Sequence, residues 1–112
     1  MKVAKAQSPL KQTCEQYRQS VQKYFGEYTD QALFVADKES DCQNIKSHKP
    51  NRNGTHDFCI FQINNEPSAL DINHCIKRAW DKFKPYKNWS QWYAVCTPSK
   101  VAKYENIKCK KG

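Results

Sequence analysis

Two acidic residues in unlike settings, Glu39 and Asp57, carry most of the chemical information in this 112-residue chain. Glu39 follows Ala32, Val35 and Ala36 by seven, four and three residues. On a helix that spacing points it to within about 60 degrees of the apolar stripe. A carboxyl so placed is partly desolvated, which raises its pKa and lets it hold a proton for a leaving group. If the helix has ended by Glu39, the group is instead solvated or paired with Lys38 or Lys46. Asp57 opens a β-like run after a polar turn, where it is expected to be hydrated, hydrogen-bonded and charged near neutrality. One acid that keeps its proton and one that has lost it are what glycoside hydrolysis needs. The first protonates the glycosidic oxygen, and the second stabilises or attacks the oxocarbenium-like centre.

Those two acids need a helix and a turn-strand unit to hold them. Thr13 and Gln16 have capping-box spacing, and Cys14, Tyr17, Val21, Tyr24 and Phe25 recur at helical intervals until Gly26 stops the run. Thr29 or Asp30 can cap a second helix through Ala32–Ala36, ending near Glu39 or Ser40. Pro50 and Asn51-Arg52-Asn53-Gly54 signal a turn. The stretch from Asp57 to Ile63 then reads as a strand paired with the segment before that turn. Ile72, Cys75, Ile76, Ala79 and Phe83 predict an amphipathic helix ended by Pro85. Asn88 is expected to cap a short final helix with Trp89, Trp92, Tyr93 and Cys96 on one face. The sum is an α+β class domain, mostly helical with one short β-hairpin, over residues 13–112 after a polar tail at 1–12.

Composition sets the outer bounds. The length suits one domain, and with 38% apolar and 27% charged residues the core is lean enough to need covalent support. Cys14, Cys42, Cys59, Cys75, Cys96 and Cys109 form an even set without a C-x-x-C pair, a pattern of disulfides in an oxidising, extracytoplasmic setting. The adjacent His74 and Cys75 are the only metal-type residues close to a ligand spacing, so no metal is expected. No stretch is long and apolar enough to cross a bilayer. Met1 to Leu10 lacks the apolar core of a secretion signal, so the sequence reads as a mature, secreted form. The net charge of +8 suits an acidic partner, although the scattered lysines serve solubility equally well.

Glu39-Ser40, followed by Asn51-Arg52-Asn53-Gly54-Thr55-His56-Asp57-Phe58-Cys59-Ile60-Phe61-Gln62-Ile63-Asn64, resembles the catalytic stretch of animal c-type lysozymes and of related bacterial and phage lysozyme-like domains. In those families a Glu-Ser ends a helix, and a turn leads into Asp-Tyr-Gly-(Ile/Leu)-(Phe/Leu)-Gln-Ile-Asn. Trp89-x-x-Trp92-x-x-x-Cys96 is similar to a helix of the animal enzymes whose first tryptophan packs over the catalytic glutamate. The likeness is specific over residues 39–64, moderate over 89–96 and weak elsewhere. It implies a small lysozyme-like domain, a glycosidase of bacterial peptidoglycan that works as a monomer without cofactor, nucleic acid or stable membrane insertion. Lysozyme is the type case of the two-carboxyl mechanism, so the resemblance implies Glu39 as acid and Asp57 as nucleophile or electrostatic stabiliser. It further implies Asn53, Gln62 and Asn64 as sugar contacts and Trp89 as the apolar wall beside Glu39. The same residues have plainer uses, since Gln62 and Asn64 can satisfy strand ends and Trp89 can be core.

The chain departs from that pattern in places. Ten residues separate Asn64 from Cys75, too few for the long loop that walls part of the animal cleft, so a shallower cleft is expected. Cys59 stands for the usual strand glycine and Phe34 for a helix cysteine, so the animal disulfide map does not transfer. No acidic cluster follows residue 64, which argues against the calcium loop of the lactalbumin relatives. Of fifteen possible pairings, position along the chain suggests Cys14–Cys109 joining the ends, Cys42–Cys59 at the helix-to-hairpin corner and Cys75–Cys96 across the last helices. Three other functions stay open. They are a lytic transglycosylase using one acid, an inactive lysozyme-fold wall-binding protein, and a cationic antimicrobial acting on membranes by charge.

Overall fold

The computed structural model describes residues 10–110 as an α+β arrangement of helices and a two-stranded antiparallel sheet. Helix α1 covers Gln12–Glu15, α2 Arg18–Phe25, α3 Thr29–Ser40 and α4 Ile72–Phe83. Strand β1 is Asp57–Phe58 and β2 is Ile63–Asn64. Short 3₁₀ turns at Gly26–Tyr28 and Pro67–Leu70 lead into α3 and α4. Most of the expected polar tail lies outside the described residues, but Leu10 already packs against the core.

The apolar periodicities become buried faces. Val21 and Phe25 of α2, Ala32–Ala36 of α3, and Cys75, Ile76, Ala79 and Phe83 of α4 enclose a common core. The helix ends differ from expectation. The first helix is split, because at Tyr17 the ladder tightens to a bond from its N–H to the Cys14 carbonyl (3.0 Å). Gln16 donates its side-chain amide to the Thr13 carbonyl instead of completing a capping box. Tyr28 is the N-cap of α3, and the Thr29 hydroxyl donates back to the Gly26 carbonyl at 2.6 Å. Helix α4 has a side-chain cap that the periodicity did not reveal: Asp71 Oδ1 accepts from the Asn73 N–H at 3.0 Å.

Two larger expectations are corrected. The Asp57–Ile63 stretch is not one strand but both arms of a hairpin, with Asp57 opposite Asn64 and Phe58 opposite Ile63. The turn between them places Cys59 and Gln62 at φ 74° and 52°, the left-handed region that glycine enters freely. Pairing with the segment before the turn is reduced to a single bridge, Lys46 to Phe58. No helix forms over residues 88–96. The Trp89 N–H bonds the Lys108 carbonyl at 2.7 Å, and Lys103 donates to Val95 at 2.9 Å. Those bonds tie both ends of the segment to the C-terminal chain, and between them it closes tight turns, from the Trp92 N–H to the Trp89 carbonyl (2.9 Å) and from the Val95 N–H to the Trp92 carbonyl (3.1 Å).

The disulfides are Cys14–Cys42, Cys59–Cys75 and Cys96–Cys109, so all three expected pairings are wrong. Each observed bond joins neighbours in the list of six and closes a local loop. Cys42 lies beside Cys14 because α3 runs back along α1; Cys59 meets Cys75 where the hairpin packs on α4. The C-terminal segment returns to Cys96, not to the N-terminus. Three disulfides are consistent with an extracellular protein. No described helix is long and apolar enough to cross a membrane.

Candidate active site

Glu39 stands one residue before the end of α3. Beyond it Asp41 and Cys42 adopt left-handed backbone angles, φ 57° and 56°, and turn the chain away. Ser40 locks that corner to the hairpin: its hydroxyl donates to the Ile60 carbonyl at 2.8 Å and accepts from the Gln43 N–H at 3.2 Å. The helix end and the hairpin thus share a fixed junction, and Glu39 and Asp57 face the same cleft of about 290 Å³. That volume lies near the lower end of small-molecule sites.

The two carboxyls have different surroundings. Burial pushes the Glu39 carboxyl up from the ordinary 4.5 to about 7. The Ala94 N–H, 3.4 Å from Oε2, opposes that shift; the negative Asp57 reinforces it and Lys103 opposes it. Asp57 sits in a polar clamp, where Oδ1 accepts from Asn64 Nδ2 at 3.0 Å and Asn51 Nδ2 at 3.2 Å. Oδ2 has no hydrogen-bond partner among the described residues. One oxygen therefore orients the carboxylate, and the other remains available to a ligand.

The remaining expected residues separate into two groups. Gln62 and Asn64 line the cleft. Both also hold structure: Gln62 Nε2 donates to the Cys59 and Ile45 carbonyls at 2.8 and 3.1 Å, and Asn64 bonds Thr55 as well as Asp57. Asn53 is not a cleft residue. Its Oδ1 accepts from the Thr55 hydroxyl at 2.6 Å and from the Thr55 N–H, closing the turn on itself. Of the turn's two asparagines, Asn51 is the one that reaches the cleft. Trp89 does not line the cleft. It is fully buried in an aromatic cluster with Phe25, Phe83 and Trp92, and its indole N–H donates to Gln31 at 3.0 Å. Trp92, also buried, is the tryptophan that lines the cleft, held by an indole N–H bond to the Phe61 carbonyl at 3.2 Å.

Several lining residues had no sequence signal. Lys82 comes from α4, and Gln91 and Tyr93 come from the irregular segment that was expected to be helical. Lys82 and Gln91 are bonded to each other, with the lysine ammonium 3.5 Å from Oε1 and the amide 3.3 Å from the Lys82 carbonyl. For metal binding, the one grouping found among the described residues is Cys14, Asp37 and Cys42. Its two sulfurs are bonded to each other. The arrangement defines a small disulfide-stapled α+β protein with a cleft built on two inequivalent carboxyls. No protein-family model matches the chain, and no curated protein matches it.

Proposed function

We propose that this protein is a secreted lysozyme-like hydrolase that cleaves the glycosidic bond between N-acetylmuramic acid and N-acetylglucosamine in bacterial peptidoglycan. The observation that carries the reading is the pairing, in one cleft, of a Glu39 carboxyl raised to about 7 with an Asp57 carboxylate oriented by two amides. The substrate comes from the resemblance of residues 39–64 to lysozymes, and the chain's charge of +8 suits an anionic wall. Export to the extracellular space agrees with the three disulfides.

In this mechanism protonated Glu39 gives its proton to the glycosidic oxygen as the bond to the anomeric carbon breaks, and the shortened glycan leaves as an alcohol. Asp57 faces the positive charge that develops on the remaining sugar, as ion-pair partner or nucleophile. Water then adds to the anomeric carbon, and its proton passes to the Glu39 carboxylate, restoring the acid. Burial of Glu39 favours the protonated form, and Trp92 and Ile63 are apolar parts of the same cleft. Tyr93, more than half exposed at the rim, offers a ring face to a sugar.

Mass analysis of fragments from purified peptidoglycan tests the reading. Free reducing ends are expected, with one water added per cut. Anhydro-muramic ends would assign the cleft to a lytic transglycosylase, and intact glycan would leave a wall-binding protein.

A further inference from the structure

A second cavity, of about 380 Å³, shares Gln91 with the cleft of the two carboxyls. Tyr86, Asn88, Ser90, Gln91, Lys100 and Lys110 line it, so among the described residues its wall carries two cations and no carboxylate. Lysine ion pairs among the described residues engage Lys11, Lys38, Lys77 and Lys84, and leave both of these lysines out. Because Gln91 belongs to both, the two cavities adjoin.

Lys100 is held in place. Its ammonium donates to the Ser90 carbonyl at 3.3 Å and lies 5.0 Å from the centre of the Tyr93 ring. Its backbone sits at φ 69°, in a region that costs a non-glycine residue about 1 kcal/mol or more. The turn is fixed by the bond from the Lys100 N–H to the Thr97 carbonyl (2.8 Å) and from the Val101 N–H to the Thr97 hydroxyl (3.0 Å). Nearby, Asn88 spends its Oδ1 on the Ser90 N–H at 3.1 Å. The Asn88 amide hydrogens and the Ser90 hydroxyl have no partner among the described residues. A concave surface with two cations focuses positive potential. Compact ammonium charges joined by an amide and a hydroxyl suit the diverging oxygens of a phosphoryl group. A planar carboxylate is better matched by the fork of an arginine, and none lines this cavity.

We propose that this cavity is an anion site for a phosphoryl group, and that its ligand is the phosphodiester of a wall polymer attached to the glycan in the cleft. The carrier rests on the hydrolase reading above; the phosphoryl chemistry does not. The test uses Glu39→Gln protein, which is expected to leave the glycan uncut. Its affinity is measured at low ionic strength for walls that retain their phosphodiester polymer and for the same walls stripped of it by acid. A soluble glycerol-phosphate polymer and inorganic phosphate serve as wall-free probes.

The phosphorylated wall should bind on the order of tenfold more tightly than the stripped wall. Adding Lys100→Gln and Lys110→Gln should bring that ratio close to one, and Lys110→Gln alone, at an exposed position, should give an intermediate value. Equal affinity for the two walls, or a preference that survives both substitutions, overturns the site. Binding of inorganic phosphate alone, insensitive to both lysines, also overturns it. Lysine-dependent binding of the soluble polymer with no binding to either wall keeps the phosphoryl site and removes the wall glycan as its carrier.

Discussion

Glu39→Gln separates catalysis from stability in a way that depends on pH. The substitution keeps the volume and an oxygen to accept from the Ala94 N–H, but removes the proton and the charge. In the folded protein the Glu39 carboxyl holds its proton up to about pH 7, whereas in the unfolded chain it loses it near the ordinary 4.5. Between those values the folded state binds more protons, so stability falls as pH rises. The full shift corresponds to about 3 kcal/mol, and the residue's partial exposure reduces this to about 2 kcal/mol. Below pH 4.5 parent and variant should therefore differ little. Above pH 7 the parent alone has a charged carboxylate in the cleft, and the variant should melt higher by on the order of 10 °C relative to that acid baseline. Thermal unfolding followed by circular dichroism from pH 4 to 8 reads this directly. Over the same range, turbidity clearing of bacterial walls by the parent should decline as pH passes 7, and the variant should be at least about 100-fold slower. A melting difference that stays flat across this range would refute the buried-acid argument. Clearing at the parent rate would remove Glu39 as the acid.

Asp57→Asn should lower the cleavage rate while leaving the fold intact, because the clamp oxygen remains an acceptor for Asn51 and Asn64; rate and melting temperature measured together check this. Trp92→Phe removes the bond to the Phe61 carbonyl and admits water beside Glu39, at a cost of about 1 to 3 kcal/mol. The alkaline limb of its pH–rate profile should move to lower pH, and a limb that stays in place would argue against Trp92 as the wall. Replacing both Cys59 and Cys75 by Ala opens a loop spanning 16 residues and should cost about 3 kcal/mol in denaturant unfolding. Peptide mapping of the parent should recover Cys14–Cys42, Cys59–Cys75 and Cys96–Cys109.

Helices α3 and α4, the turn at Pro50–Gly54 and the placement of Glu39 against an apolar stripe were legible in the sequence, because each depends on residues within a few turns of one another. The hairpin was legible only as β-structure. Its fold-back at Cys59–Gln62 uses left-handed angles on residues other than glycine, which no turn signal marks. Trp89 and Trp92 look alike as sequence. Both are buried, and which one also lines the cleft depends on the chain after Phe83, where the Trp89 N–H pairs with Lys108 and Cys96 bonds Cys109. The choice of Asn51 over Asn53 likewise follows from Thr55, which holds Asn53 inside the turn. Local periodicity determined helices α3 and α4 and the half-buried place of Glu39. The cleft's walls and the cysteine partners came from contacts between distant segments, whose backbone groups must satisfy one another once the core has closed.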